Sequence, residues 1–438
     1  MSKKSLLLVV VLLVLGLAGI WFLTEGDTTP PEIILQQKLD FIGKNQEFTF
    51  FVEDNKSGIM FVRVSIRQEG REVEILRVDI AKEGVRKKEF KLNMKPKSLG
   101  LKDGAATLII SAKDHSLFDN EIKSERKVTI DTHPPVIEIR SSNHYVNIGG
   151  SCLVLYSVSK DAVTSGILVG DIFFKGYPLT KDRLYAAYFA LPSGTSTSTP
   201  IVLLALDNAD NSIKISFPYL IRKKKFKKVK LNISDSFLAQ KMPQFTNRYD
   251  DLGGGSNLDV FLEVNRRLRQ DNNLKIKDIC IKSNPKRLWE GSFLRMKGSE
   301  MAKFADKRTY YHNGKVVDKQ VHMGVDIAAI KRYPIKATNT GIVVFADYIG
   351  IYGNTIIIDH GQGLFSMYSH LSSFKVKPKA NVKKGDVIGN TGTTGLAGGD
   401  HLHFGIIVQH TYVNPKEWWD PHWIKDNITA KLQLHETN

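Results

Sequence analysis

The sequence predicts a mainly β protein: an N-terminal transmembrane helix, two β-sandwich domains, a short helical connector and a C-terminal antiparallel β-sheet domain. Three observations carry that prediction. A stretch of about a hundred residues occurs twice with the same landmarks, which marks two copies of one domain. Short β-branched runs, such as Phe48-Thr49-Phe50-Phe51-Val52 and Phe61-Val62-Arg63-Val64-Ser65-Ile66, alternate apolar and polar positions between turn residues. Helical signals occur in the first residues and in one piece after Ser256.

The N-terminal element comes first. Lys3 and Lys4 precede an uncharged apolar run from Leu6 to Leu23, and Glu25 and Asp27 follow it. A run of about 20 apolar residues crosses the hydrocarbon core as a helix, and positive charge on its N-terminal flank keeps that end in the cytoplasm. A cleaved signal peptide would end in small residues. Trp21, Phe22 and Leu23 stand in their place, which favours an uncleaved anchor over residues 1–26. The expectation is a single-pass protein of the cytoplasmic membrane, with the bulk of the chain on the periplasmic or extracytoplasmic side.

Either reading of the N-terminus exports the rest of the chain and argues against nucleic acid as a partner. The net charge of +17 then points to anionic lipid or wall polymers. A composition of 42% hydrophobic and 24% charged residues excludes a disordered chain, and 438 residues suffice for about three domains. Cys152 and Cys280 form no C-x-x-C metal or redox motif, and sequence does not pair them.

The two sandwiches are expected over residues 27–130 and 131–230. Asp27-Thr28-Thr29-Pro30-Pro31-Glu32-Ile33 recurs as Asp131-Thr132-His133-Pro134-Pro135-Val136-Ile137. Each copy then carries a Ser-Gly-Ile step, at Ser57 and Ser165, and closes on an acidic-asparagine turn, Asp114 to Asn120 and Asp207 to Asn211. Both copies resemble the immunoglobulin-like modules of bacterial surface proteins. The Asp-Asn clusters read as turns in which Asp and Asn cap their own backbone, since no EF-hand run is present.

The connector covers residues 231–284. The run Arg222-Lys223-Lys224-Lys225-Phe226-Lys227-Lys228-Val229-Lys230 reads as a boundary or a basic strand, suited to anionic polymers or to discouraging strand pairing. Ser256 N-caps a helix over Asn257–Arg269, with Leu258, Phe261, Leu262 and Leu268 as its inner stripe. Gly253-Gly254-Gly255 is a hinge, because no Gly-Lys-Ser/Thr follows.

In the C-terminal domain, residues 285–438, the histidines fall in pattern: His322-Met323-Gly324-Val325-Asp326, then Tyr368-Ser369-His370-Leu371, then His401-Leu402-His403-Phe404. Strand-like runs lie between them at Gly341–Ala346, Asn354–Asp359, Gly363–Met367 and Asp386–Gly389. Residues two apart on a strand share a face, so His401 and His403 point into one space. His322 and Asp326 would also share a face if their segment is extended. Two imidazoles and a carboxylate suit zinc, and three protein ligands leave a fourth position for water, the mark of a catalytic rather than a structural site. Zinc lowers the pKa of that water to about 7.

From Val321 to Asn414 the chain resembles the lysostaphin-type (LytM-like) zinc endopeptidases, which carry His-x-x-x-Asp and a later His-x-His on a small antiparallel β-fold. Tyr352-Gly353-Asn354, Asp359-His360-Gly361, Lys384-Gly385-Asp386-Val387-Ile388-Gly389 and Gly392-Thr393-Thr394-Gly395 belong to the same match. The resemblance implies Zn2+ held by His322, Asp326 and His403, with His370 and His401 as catalytic histidines. His401 would take a proton from the metal-activated water and His370 would stabilise the oxyanion or orient the water, roles that can be exchanged. His360 reads as a turn residue.

The family often opens with Gly-Phe-Gly-x-Arg; here Phe304-Ala305-Asp306-Lys307-Arg308 precedes an inserted hairpin, signalled by Tyr310, Tyr311 and His312 before Asn313-Gly314, which reads as a packed hairpin beside the groove, with an aromatic substrate wall as the alternative. The residue after Phe404 is Gly405, where relatives often carry a larger side chain. The implied function is a membrane-anchored zinc metalloendopeptidase (a peptidoglycan hydrolase) that cleaves peptide cross-links of the bacterial cell wall. Two alternatives stand beside it: a non-catalytic activator or scaffold of wall hydrolases, with an envelope protein as partner, and a peptidase acting on another exported protein.

Overall fold

The structure is a computed structural model that describes residues 10–17, 26–80, 84–118, 120–179 and 183–433. Residues 10–17 are helical and exposed, while the rest of the apolar run from Leu6 to Leu23 lies outside the described residues. Among the described residues, no helix is long and apolar enough to cross a membrane.

The chain divides into two compact units, one of residues 1–135 with 206–212 and one of residues 136–205 with 213–438. In the first, a three-stranded sheet (Glu32–Leu35, Gln46–Glu53, Lys87–Met94) and a five-stranded sheet (Phe41–Ile42, Ile59–Gln68, Arg71–Asp79, Gly104–Asp114, Glu121–Ile130) share one core. Alternation builds it: Phe48, Phe50 and Val52 are buried while their neighbours in sequence face outward. The Asp-Asn clusters are turn chemistry here. The Asn120 amide donates to Asp114 and to the Asp27 carbonyl, and Asn211 repeats both bonds with Asp207 and Asp131.

The second unit opens with two four-stranded sheets, Ile137–Ile139, Ser151–Val158, Tyr177–Pro178 and Leu184–Ala190 in one, Thr164–Val169, Ile172–Lys175, Ile201–Leu206 and Ser212–Ser216 in the other. These sheets share a continuous core with the C-terminal domain. Tyr188 packs 6.3 Å from Trp418. The buried Glu417 carboxylate accepts from the Ser151 amide at 3.0 Å and from Asn147 at 2.7 Å, and Lys431 Nζ donates to the Leu153 carbonyl at 2.8 Å. Cys152 and Cys280 are both free and buried, and burial raises both thiol pKa values.

In the basic run Arg222 ends the strand Tyr219–Arg222, and a second strand, Lys228–Asn232, runs parallel to Lys307–His312, which forms a hairpin with Lys315–Val321. Asn313 and Gly314 take positive φ at its tip, the pattern the Asn-Gly pair predicts. A helix over Asp235–Thr246 follows, N-capped by Ser234. The next begins at Asn257 with a Ser256–Asp259 capping box, as expected, but does not stop at Arg269. It continues through a π-helical turn, Val264–Leu268, to Ile279. Its last turns are polar and hide the extension; Asn272 and Ile276 hold them down, Asn272 Oδ1 accepting the Ile351 amide at 2.8 Å.

The C-terminal domain is built on a ten-stranded sheet. Its path runs Ser299–Ala302, Val325–Ala328, Leu402–Val408, Leu364–Phe374, Gly353–Asp359, Gly341–Ile349 and Asn381–Val382, antiparallel throughout. The strand runs read from sequence fall on it.

Candidate metal centre

Strand register sets the first pair. Asp326 lies directly opposite His403, so their side chains share a face, and His403 Nδ1 is 2.9 Å from Asp326 Oδ1. His322 reaches the same point by another route. Its segment is not extended: the strand ends at Val321, the chain bends through Gly324 and a new strand starts at Val325. A Cβ on Gly324 would lie 2.5 Å from the Phe404 carbonyl oxygen and 2.7 Å from the His403 ring, so only glycine lets the bend pass. His322 Nε2 then sits 3.0 Å from both Asp326 Oδ1 and His403 Nδ1.

This triangle fits a divalent cation. His322 Nδ1 is 2.9 Å from the Lys303 carbonyl, which only accepts, so Nδ1 carries the proton and Nε2 presents a bare lone pair. Burial outweighs the pull of Asp326 and lowers the His403 pKa to about 4, keeping that ring neutral. Burial raises the Asp326 pKa, but the neighbouring imidazoles of His322 and His403 outweigh it and hold the carboxyl well below the usual range. Three electron-pair donors therefore converge within 3.0 Å of one another, and a nitrogen–nitrogen–oxygen set suits zinc or a similar ion. Arg308 Nη2 donates to Asp326 Oδ2 at 2.9 Å, leaving Oδ1 to the triangle.

His370 and His401 complete the cluster, their rings 4.8 Å apart, with His370 5.9 Å from His403. His401 sits on the face of His403, as the two-residue spacing predicts, its Nε2 3.7 Å from Asp326 Oδ1. For His370, alternation alone fails, because its neighbour Ser369 is the residue paired with His403. The register slips by one between Ile356↔Tyr368 and Asn354↔Leu371, and in this bulge His370 takes φ +63°, which turns its ring back to the cluster. Each ring is pinned through Nδ1, His370 on the Thr394 carbonyl and His401 on that of Gly399, both at 2.8 Å. Burial, then repulsion from His401 and His403, keeps His370 well below the usual histidine pKa.

The four histidines and the aspartate read from sequence thus come together. The residues of the connector helices carry no such signal. A cavity of about 370 Å³ beside the triangle is walled by Phe237, Phe261 and Arg269 of the connector helices, and by Arg308 and Tyr310 of the hairpin. Tyr310 is packed, 5.7 Å from Phe261, and also faces this cavity. Lys241 Nζ donates to the Thr393 and Gly395 carbonyls at 2.7 and 3.3 Å, tying the first connector helix to the loop that holds His370. The available signals were Arg308 at the end of the Phe304–Arg308 stretch and Tyr310 in the hairpin; the connector residues lie too far away in sequence to be linked. His360 is more than a turn residue: it is fully buried, bridging the Thr340 carbonyl and Ser366 Oγ.

Known proteins match the part of the chain that carries this cluster. The family described as Peptidase family M23 matches residues 320–415. The DD-carboxypeptidase/endopeptidase Mpg of Neisseria meningitidis is 38% identical over 96 residues, 22% of this chain and 22% of that protein. The peptidoglycan DD-endopeptidase ShyA of Vibrio cholerae is 37% identical over 93 residues, 21% and 22% of the two chains. The match therefore spans about a fifth of the length of these curated relatives. Among solved structures, the catalytic domain of lysostaphin from Staphylococcus simulans is 30% identical, covering 28% of this chain and 92% of that one, with a TM-score of 0.24. Residues 320–415 of this chain are a domain of peptidase family M23.

Proposed function

We propose that the chain is a zinc metalloendopeptidase that hydrolyses peptide cross-links of peptidoglycan from an N-terminal anchor in the cytoplasmic membrane. The observation that carries this is the convergence of His322, Asp326 and His403 with two histidines whose Nδ1 protons are committed to backbone carbonyls. The names of the relatives support the substrate. The apolar run Leu6–Leu23 and the charge of +17 support placement at the membrane, facing an anionic wall.

His322 Nε2, Asp326 Oδ1 and His403 Nδ1 would hold the zinc. When bound, the ion supplies Lewis acidity, activating water and polarising the scissile carbonyl. With Nδ1 protonated, His401 and His370 each keep Nε2 free to accept a proton. His401 accepts it from the attacking water and, once cationic, can pass it to the leaving amine. His370 orients the water or stabilises the oxyanion. Arg308 balances the Asp326 charge from the far oxygen. Phe237, Phe261 and Tyr310 exclude water from one side of the cavity.

The test uses the purified full chain on isolated wall sacculi. Release of peptide-linked fragments that a chelator stops, zinc restores and His403→Ala lacks is expected. Intact sacculi with wild-type protein would instead favour an activator or scaffold, and cleavage of an exported protein alone would redirect the substrate claim.

A further inference from the structure

Arg269 and Met323 line both the cavity beside the metal triangle and a second one of about 740 Å³. The second cavity is basic, lined also by Arg266, Arg267 and Lys277. Arg266 is paired with Asp318, and Arg267 with Asp251 and Glu263. Arg269, on the wall of both cavities, differs. The residue is half-buried and its guanidinium is bonded only to Asn265, through Nε to the backbone oxygen at 3.1 Å and through Nη2 to the side-chain oxygen, and among the described residues it has no carboxylate partner.

Asn265 is itself fully buried and donates to Asp318 Oδ2 at 2.6 Å, so the guanidinium is held in place from behind. The other guanidinium on the metal cavity, Arg308, is already committed to Asp326. A partly desolvated cation with unused donors on a cavity wall is completed by an anion, and the planar guanidinium fork matches a carboxylate.

We propose that Arg269 binds a substrate carboxylate on the wall of the metal cavity, so that the groove selects peptides bearing a free carboxylate near the bond to be cut. The proposal rests on the hydrolase reading for its substrate class. Arg269 belongs to the connector helix, outside residues 320–415, so this selectivity is built by the chain's own upstream segment.

The test measures equilibrium binding and turnover in parallel, with the full zinc-loaded chain. Its probes are a synthetic peptidoglycan stem peptide with free carboxylates and the same peptide fully amidated. Wild type should bind the acid about tenfold more tightly than the amide, Arg269→Gln should bring that ratio close to one, and Arg269→Lys should restore part of it. Melting curves confirm that both variants fold. Equal binding of acid and amide by wild type, or an unchanged ratio in Arg269→Gln, overturns the proposal whether or not the peptides are cut. Acid-selective binding without turnover of either peptide or of sacculi upholds it and sinks the hydrolase reading alone.

Discussion

Arg308 and Asp326 are joined by an ion pair, Nη2 to Oδ2 at 2.9 Å, on the carboxylate oxygen that faces away from the two imidazole ligands. One carboxylate thus meets the guanidinium through one oxygen and the imidazoles through the other, and the arginine decides which oxygen a metal would meet. Arg308→Ala should lower zinc affinity about 10-fold to 100-fold. Competition with a fluorescent chelator measures this; unchanged affinity would mean that the pair contributes only surface charge.

A Cβ at Gly324 would collide with the Phe404 carbonyl oxygen and with the His403 ring. Gly324→Ala should displace that ring and strip the metal, with loss of activity and little change in the rest of the fold. Zinc content after dialysis, alongside circular dichroism, checks both halves.

The ligands and the proton-handling histidines should separate experimentally. Asp326→Ala and His403→Ala lose metal and activity together. His370→Ala and His401→Ala retain zinc while kcat falls about 10²-fold to 10⁴-fold. A variant of His370 or His401 that keeps near-wild-type kcat would remove that residue from the mechanism.

Lys241 is buried and holds two carbonyls of the loop that pins His370. Lys241→Met keeps the stem and removes the donor. Leaving buried acceptors unpaired should cost about 1–3 kcal/mol of stability and lower kcat with zinc retained. Denaturant melts and single-turnover rates on the same preparation report the two effects.

Two buried histidines outside the site give a pH signature. Burial lowers His144 and His360 each to about 4 in the folded chain, against about 6.5 unfolded. Between those values the unfolded state binds more protons, so folding stability is full above about pH 6.5 and is lost as pH falls towards 4. Each contributes on the order of 3 kcal/mol across that window. Urea melts at stepped pH should show it, and His360→Gln should flatten the slope.

Much of the site could be read from the sequence because strand alternation is a local rule: His401 and His403 face one way for the same reason that Phe48, Phe50 and Val52 do. What was not legible depends on departures from that rule or on distance. His370 reaches the cluster through a bulge with positive φ at a non-glycine residue, which leaves no compositional mark. His322 arrives by a bend rather than along a strand. The helix continues past Arg269 because Asn272 finds a backbone amide 79 residues away. Trp418 against Tyr188, and Glu417 against Ser151, are likewise invisible to a local reading.

That last seam bears on how the molecule can be divided. A fragment starting at residue 285 would forfeit Phe237, Phe261 and Arg269 from the wall of the cavity. It would also leave Trp418 and the Glu417 carboxylate without the strand residues that cover them. Minimal expression should therefore begin near residue 136, and the second sandwich behaves less as a handle for the catalytic head than as part of its skull.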